Sequence, residues 1–590
     1  MKRLQGFIGG LLNKKVDATG LAIFRIFYSV ILLCEVGQIF YFKELIFDKI
    51  PFIESADIDL RFALIIWMLV IVMIIFGFYT RIATILNYAF SVVFIATIKT
   101  YEYHMFYVYM GVNFLLIFTS ISNALSIDNL IKLISGVNRE GRQVSVLNYH
   151  VFILLAIAFV YFDSVFYKTM SPTWMGGLGM WRPASLPHFT HIDGSLLLNT
   201  RWLVMGLGYL TLIFETVFIF TFFRKKWRGS LFLIGVGLHF GIFLEFPIPW
   251  FGLGVMSIYM LMVPFSWWQY ISQKIRLKAP KLTFYCNHSI ERSNYYESIA
   301  SQISSFGKVR VELITDGEKD YGCFALDNKG KKFVGQEALE KVLNCNLFTF
   351  VFLRFLNLIG AKEVFLKALY DGDFKLVRPI KGGNDWKRRV LSLKVVVVTC
   401  FLLIVSLLQV NVTYHSLLVK ELREVSGVDE TTIGRVVNSV SLRVKYFSKV
   451  FFGITNHPVF MDAHMDGYDH IYGVEAELHN GDRLWLPIID KEGHVDKYAY
   501  SFNWVKWTFR VNGPKLNQRN LEKGIKDFSL FWAAKNDVPL EGLKLNIYLK
   551  NIEVPNKWEY DFLKKQKEKP WKHVAIGIWE QNDFSLNYIQ

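Results

Sequence analysis

The sequence predicts a polytopic α-helical membrane protein of about nine spans, with a small α/β thioredoxin-like cytoplasmic domain and a β-rich extracytoplasmic C-terminal domain. Three observations carry that prediction. Of 590 residues, 53% are hydrophobic and only 20% are charged, with 52 Phe and 16 Trp; a soluble chain of this size would carry more charge and could not keep so much apolar surface from water. Nine mostly apolar runs approach the ~20 residues that a bilayer span needs. Lys and Arg cluster in alternate connections between those runs, which also accounts for the net charge of +16 without a nucleic-acid partner.

The runs cover residues 20–42, 61–79, 81–98, 104–121, 146–167, 202–223, 229–246, 250–270 and 390–412. The first eight make a bundle over 1–275, and the ninth stands apart. Met1–Asp17 is basic and polar and leads into a run long enough to span, so no cleavable signal peptide is expected. Lys2, Arg3, Lys14 and Lys15 share a side with Arg81, with Lys132, Arg139 and Arg142, with Arg224–Arg228 and with Lys274–Lys278. The opposite connections are poorer in positive charge, and residues 43–59 carry five acids. The rule that positive loops stay inside makes the N-terminus cytoplasmic in a cytoplasmic (inner) membrane, and nine crossings put the C-terminal domain outside.

Between spans eight and nine, residues 280–373 read as a strand over 281–285, a helix over 293–305, a strand over 309–314 and β structure to Val334. The apolar stretch 347–370 is interrupted by Arg354, Lys362 and Lys367 and reads as an interfacial helix whose cations reach the headgroups. Residues 413–590 begin with a helical connector to about Phe447. Strands over 474–478 and 483–487 then flank an Asn480-Gly481 turn, and further strands over 504–511 and 545–552 suggest a sandwich.

Ionisable groups within hydrocarbon are costly and mark candidate sites. By depth, His104, Asp163, Lys168, His239 and Glu245 share the outer half of the bundle, whereas Glu215 falls towards the cytoplasmic half and reads as a structural partner of an arginine or backbone group. A desolvated lysine gives up its proton more easily, which makes Lys168 a plausible base. A second cluster, His457, Asp462, His464, Asp466, Asp469 and His470, matches no zinc spacing; a polar loop, a place facing the membrane site and a weak divalent-metal site (His457, Asp462, His464, His470) are its readings. The five cysteines form no CxxC pair and suggest neither disulfides nor zinc.

The segment Val160-Tyr-Phe-Asp-Ser-Val-Phe-Tyr-Lys168, followed by Trp174 and Gly176, resembles the core of the vitamin K-dependent gamma-glutamyl carboxylase family, whose bacterial relatives are grouped as horizontally transferred transmembrane (HTTM) proteins. Asp17–Arg25, Tyr103-His104, Leu125–Asp128 and Leu238–Phe240 extend the resemblance over roughly 15–270. It implies a reduced quinone of the vitamin K or menaquinone type as cofactor and Lys168 as the base that deprotonates it. The oxygenated quinol then removes a γ-proton from a glutamate, which captures carbon dioxide. His104 and His239 would assist, with Asp163, Trp174 and Glu245 about the quinone. The stretch Tyr285-Cys-Asn-His-Ser289-Ile-Glu-Arg292 resembles the DCC type of thiol-disulfide oxidoreductase, but Ser289 and Arg292 stand where its redox cysteines belong, so a scaffolding module is implied.

Two functions follow. One is a quinol-dependent carboxylase-like lyase acting on an exported protein or lipoprotein. The other is a non-catalytic assembly factor whose bundle binds lipid or quinone and whose outer domain docks a partner. A transporter is disfavoured, since neither an inverted repeat nor a broken helix pair is evident.

Overall fold

The computed structural model describes residues 2–56, 59–98, 101, 103–134, 142–287, 296–297, 299–300, 307–314, 323–371, 384–515 and 517–589. All nine apolar runs are helical. They form α2 (Thr19–Tyr41), α3 (Arg61–Phe76), α4 (Thr80–Thr97), α5 (His104–Leu116), α6 (Phe152–Lys168, entered through a π turn at Leu147–Val151), α7 (Arg201–Thr221), α8 (Arg228–Glu245), α9 (Pro249–Tyr259) with α10 (Phe265–Ile275), and α14 (Asn384–Thr413), behind an N-terminal α1 (Lys2–Asn13). Among the described residues six are long and apolar enough to cross a membrane, and the bent pair α9–α10 makes a seventh. The helices α3 and α5 are shorter. The eighth run is therefore broken, against the sequence expectation: Pro264 has no amide to donate and forces Val263 into an extended conformation, so the chain turns by 95°.

The motif residues near the chain start build this scaffold. Arg25 is buried in α2 and donates to the carbonyls of Ile121 (2.7 Å), Ala124 (3.2 Å) and Leu125, tying α2 to the loop after α5. Asp128 caps α4 by accepting from the amides of Tyr79 (2.9 Å) and Thr80 (2.8 Å). The two soluble parts occupy opposite ends of the bundle. One end carries a mixed four-stranded sheet of β1 (Leu282–Asn287), β2 (Val309–Ile314), β3 (Cys323–Asp327) and β4 (Lys332–Val334), in the order β2-β1-β3-β4, with β1 and β2 parallel and the other pairs antiparallel. Its core continues into Phe76, Ile127 and Leu130 of the bundle. Of the helix expected over 293–305 only 296–297 and 299–300 are described, and they are helical, while Ser289 and Arg292 lie outside the described residues. The apolar stretch 347–370 is two short helices, α12 (Leu347–Leu358) and α13 (Lys362–Asp371), broken at Gly360 (φ +71°) and packed with α11 (Gly335–Asn344) onto this sheet. At 1.5 Å per residue neither can span.

The helix α14 starts against α1 and ends beside Asp163 at the other end. There α15 (Thr432–Phe452) returns along α14 and sinks its last turn among Phe114 and Phe401. Next comes one antiparallel sheet of β5 (His470–Glu477), β6 (Arg483–Trp485), β7 (Lys544–Asn551), β8 (Lys572–Glu580) and β9 (Asp583–Tyr588), in the order β9-β8-β7-β5-β6. It is backed by α16 (Gln518–Lys535), with Trp579 donating to Ser529 at 3.2 Å, instead of by a second sheet, so the expected sandwich is corrected to a helix-covered sheet. The strand expected over 504–511 is helical, Phe502–Lys506 running into a π turn Trp507–Val511. Its alternating pattern misleads because Lys506 does not face water: it is buried and donates to Asp527 (2.8 Å) and to the Tyr101 hydroxyl of the bundle (2.7 Å).

Candidate functional site

The end of α6 meets α7 and α8 around a cavity of about 70 Å³, room for a few waters or one small ring. Lys168 lies on its wall, buried. Its Nζ donates to Glu215 Oε1 at 2.5 Å and stands 4.3 Å from the Trp174 ring centroid. Glu215 is thus the partner of Lys168, which corrects the assignment of that glutamate to the cytoplasmic half. The loop after α6 folds back so closely that a side chain at Gly208 would overlap the Gly177 carbonyl. The first turns of α7 therefore stand beyond the end of α6, and counting residues inward from Arg201 overstates the depth of Glu215.

His239 faces the same cavity from α8. Its Nδ1 lies 2.9 Å from the Gly235 carbonyl, which can only accept, so Nδ1 carries the proton and Nε2 is the acceptor. Tyr161, 3.3 Å from Nε2, donates to it, and Tyr259 donates in turn to Tyr161. Gly235 makes this chain possible, because any side chain there would overlap the Tyr259 ring. The rest of the lining is mostly apolar, with Phe214, Leu238, Ile242, Phe251 and Phe460, and is broken by Ser164, Thr211 and His457.

The model of the HTTM domain matches residues 13–267, a little under half of the chain. Over that segment the bundle is similar to the HTTM domain. No curated protein matches the chain, and no solved structure does.

The bundle does not close its own cavity. His457, Val459 and Phe460, from the segment after α15, form part of the lining. Asp163 holds that segment in place: its carboxylate accepts from the His457 amide (2.8 Å), Thr413 (3.1 Å) and Asn456 (3.3 Å). Three further bonds pin it from the HTTM side, from Trp174 Nε1 to the Phe460 carbonyl (2.9 Å), from Ser171 to Asp462 (2.7 Å) and from Arg182 to Asp462 (2.8 Å), while Arg182 also reaches Asp466 (2.5 Å). Burial would raise the Asp462 carboxyl, but hydrogen bonds from Thr173, Ser171 and Arg182 outweigh it and hold the group below the usual range. Burial, with His104 nearby, pushes the His457 imidazole down to about 3.

Of the residues singled out in the sequence, Lys168, His239 and Trp174 share the cavity wall. His104 is exposed at the start of α5 and acts electrostatically on His457. Asp163 is turned to the roof segment and away from the cavity. Glu245 ends α8 beside Gly194, outside the lining. Among the described residues no group of three or more His, Cys, Asp or Glu side chains could hold a metal. The four weak candidates have separate surroundings, with His470 beside Asp469 (2.9 Å) and Asp462 on Arg182. The sequence reading missed Glu215, Tyr161 and Tyr259 as site residues. Tyr161 stands inside the very motif that carried the resemblance, one helical turn and more before Lys168.

Proposed function

We propose that the chain is a quinol-dependent, carboxylase-like membrane enzyme that modifies an exported protein or lipoprotein. The observation that carries this reading is the buried Lys168–Glu215 pair at 2.5 Å, set against Trp174 in an apolar cavity of an HTTM domain. With the shared proton on Glu215, the neutral Lys168 amine can take a proton from a weakly acidic hydroxyl, and the ammonium then stands beside the anion it has made, so that no charge is left isolated in the cavity. The donor set fits a quinol. Glu215 Oε2 and His457 Nδ1 are both buried without a partner, so an acceptor and an imidazole stand open at an apolar-walled space. A bound quinol would supply the reducing power and the hydroxyl whose proton the site takes.

In this reading Lys168 is the base and Glu215 holds its Nζ in place. Trp174 offers a ring face at which a flat ligand can stack, and His239 passes protons along the Tyr161–Tyr259 chain. The roof from the C-terminal domain excludes water and brings the polypeptide substrate to the cavity; Asp163 and Arg182 are positioning residues that keep it there. The N-terminus is cytoplasmic and the roofed end extracytoplasmic, in keeping with the distribution of Lys and Arg. The small sheet domain serves as a scaffold, its Cys286 and Cys323 thiols pushed up to about 12 by burial and poorly suited to redox exchange.

Membranes holding the chain are incubated with labelled bicarbonate and a reduced quinone, alongside Lys168→Ala and His239→Ala. Label entering a protein with the native chain and not with the folded variants supports the reading. No label, while a known carboxylase is active in the same assay, overturns it. Variants that keep full biological function would favour the non-catalytic assembly factor.

A further inference from the structure

A second cavity, of about 350 Å³, opens at the end of the bundle that carries the small sheet domain, remote from Lys168. It lies where α4 begins and α5 has just ended, with Thr80, Arg81, Ser120, Ser122 and Lys132 on its walls. We propose that it binds the phosphate headgroup of an anionic phospholipid, independently of what happens at Lys168.

Four observations converge on that ligand. Arg81 and Lys132 contribute two cations to the cavity, and neither makes an ion pair among the described residues. Thr80 is only 4% exposed and its Oγ1 has no partner, leaving a buried hydroxyl at the wall to donate to an oxygen ligand. Among the described residues the one acid in the lining, Asp128, does not compete for the cations: its carboxylate oxygens are taken by the Tyr79 and Thr80 amides, and the Arg25 guanidinium offsets its charge. The fourth observation separates a lipid from a free anion. Phe78, just before α4, and Ile82, Ile85 and Leu86 on its first turns are exposed, so an apolar track leads from the cavity up the surface of the spanning helix. A phosphodiester seated between Arg81 and Lys132 would lay its acyl chains on that track. Basic pockets between spanning helices are suited to anionic headgroups, and each cation near the surface strengthens binding about fivefold.

The test is a titration of the purified full chain in neutral detergent, followed by native mass spectrometry, with short-chain phosphatidylglycerol, short-chain phosphatidylcholine and inorganic phosphate as separate probes. Phosphatidylglycerol should bind at least tenfold more tightly than either other probe. Arg81→Ala should weaken it about fivefold and Arg81→Ala/Lys132→Ala about twenty-fivefold, Thr80→Val should also weaken it, and Arg81→Lys should restore most of the loss. Lys225→Ala/Lys226→Ala, removing exposed cations in another loop, should leave binding unchanged. Equal binding of phosphatidylcholine, or native affinity in the folded Arg81→Ala/Lys132→Ala chain, overturns the proposal. Inorganic phosphate binding as well as phosphatidylglycerol overturns the lipid assignment.

Discussion

Replacing Glu215 by glutamine tests the buried pair from the side the sequence did not reveal. The side chains of Lys168 and Glu215 are 6% and 10% exposed and 2.5 Å apart, so the screening that makes surface pairs nearly worthless does not apply. Glutamine keeps the volume and one carbonyl acceptor, which removes cavity terms from the comparison. What is left is an ammonium with no counter-charge, a loss on the order of 3–5 kcal/mol for a buried pair. Lys168→Met should cost a similar amount by stranding the carboxylate. The double variant Lys168→Met/Glu215→Gln carries neither charge and should fall within about 1.5 kcal/mol of the native chain, because well-packed neutral replacements of buried pairs are often close to neutral. Unfolding free energies in mixed micelles titrated with sodium dodecyl sulfate give the cycle, with an expected coupling of roughly 2 kcal/mol or more. Additive effects, or a Glu215→Gln loss below about 0.5 kcal/mol, would refute a charged pair at this site.

Gly235→Ala should push Tyr259 off Tyr161 and destabilise the chain by about 1–3 kcal/mol, with activity falling further than in Gly237→Ala, where a side chain meets nothing within 4 Å. Tyr161→Phe removes the donor to His239 Nε2 and should cost on the order of 1–2 kcal/mol, read as a drop in activity at unchanged expression. Asp163→Ala should free the segment around His457, and faster amide exchange over 453–460 than in the native chain checks it. Acidification should loosen the same roof. His457 is held near 3 when folded and returns to about 6.5 when unfolded. The unfolded state thus binds the extra proton between those values, and stability is complete above pH 6.5 and falls with decreasing pH, by up to about 1.4 kcal/mol per pH unit. Protection factors over 453–460, taken relative to the intrinsic exchange rate at each pH, should therefore fall between pH 7 and pH 5, and pH-independent protection would contradict the burial of that imidazole.

The sequence made the bundle legible because span length and apolar composition are local properties. All nine runs are helical, although Pro264 splits the eighth into α9 and α10. Depth counted from helix ends put Lys168 and His239 in one half of the bundle and the resemblance added Trp174; all three line the cavity. Counting failed at Glu215, where the loop after α6 folds back and offsets α7. It failed again at Asp163 and Glu245, because depth says nothing of which way a side chain faces. The C-terminal part was harder to read. Lys506 breaks an apolar pattern without being exposed, so a buried ion pair imitated the alternation of a strand. His457 was visible as part of an odd cluster, but its place in the roof depends on a contact between residues almost 300 positions apart, Asp163 and the His457 amide. Periodicity and composition carry no signal for such a contact.

The role proposed for Lys168, a base towards a reduced quinone, is measured most directly by aerobic quinol oxidation with the purified chain. The native chain should consume the quinol under air, and Lys168→Ala, folded to the same extent, should do so at least a hundredfold more slowly, in keeping with the ~10²–10⁴-fold that a positioned base contributes. Equal rates for the two chains would contradict it.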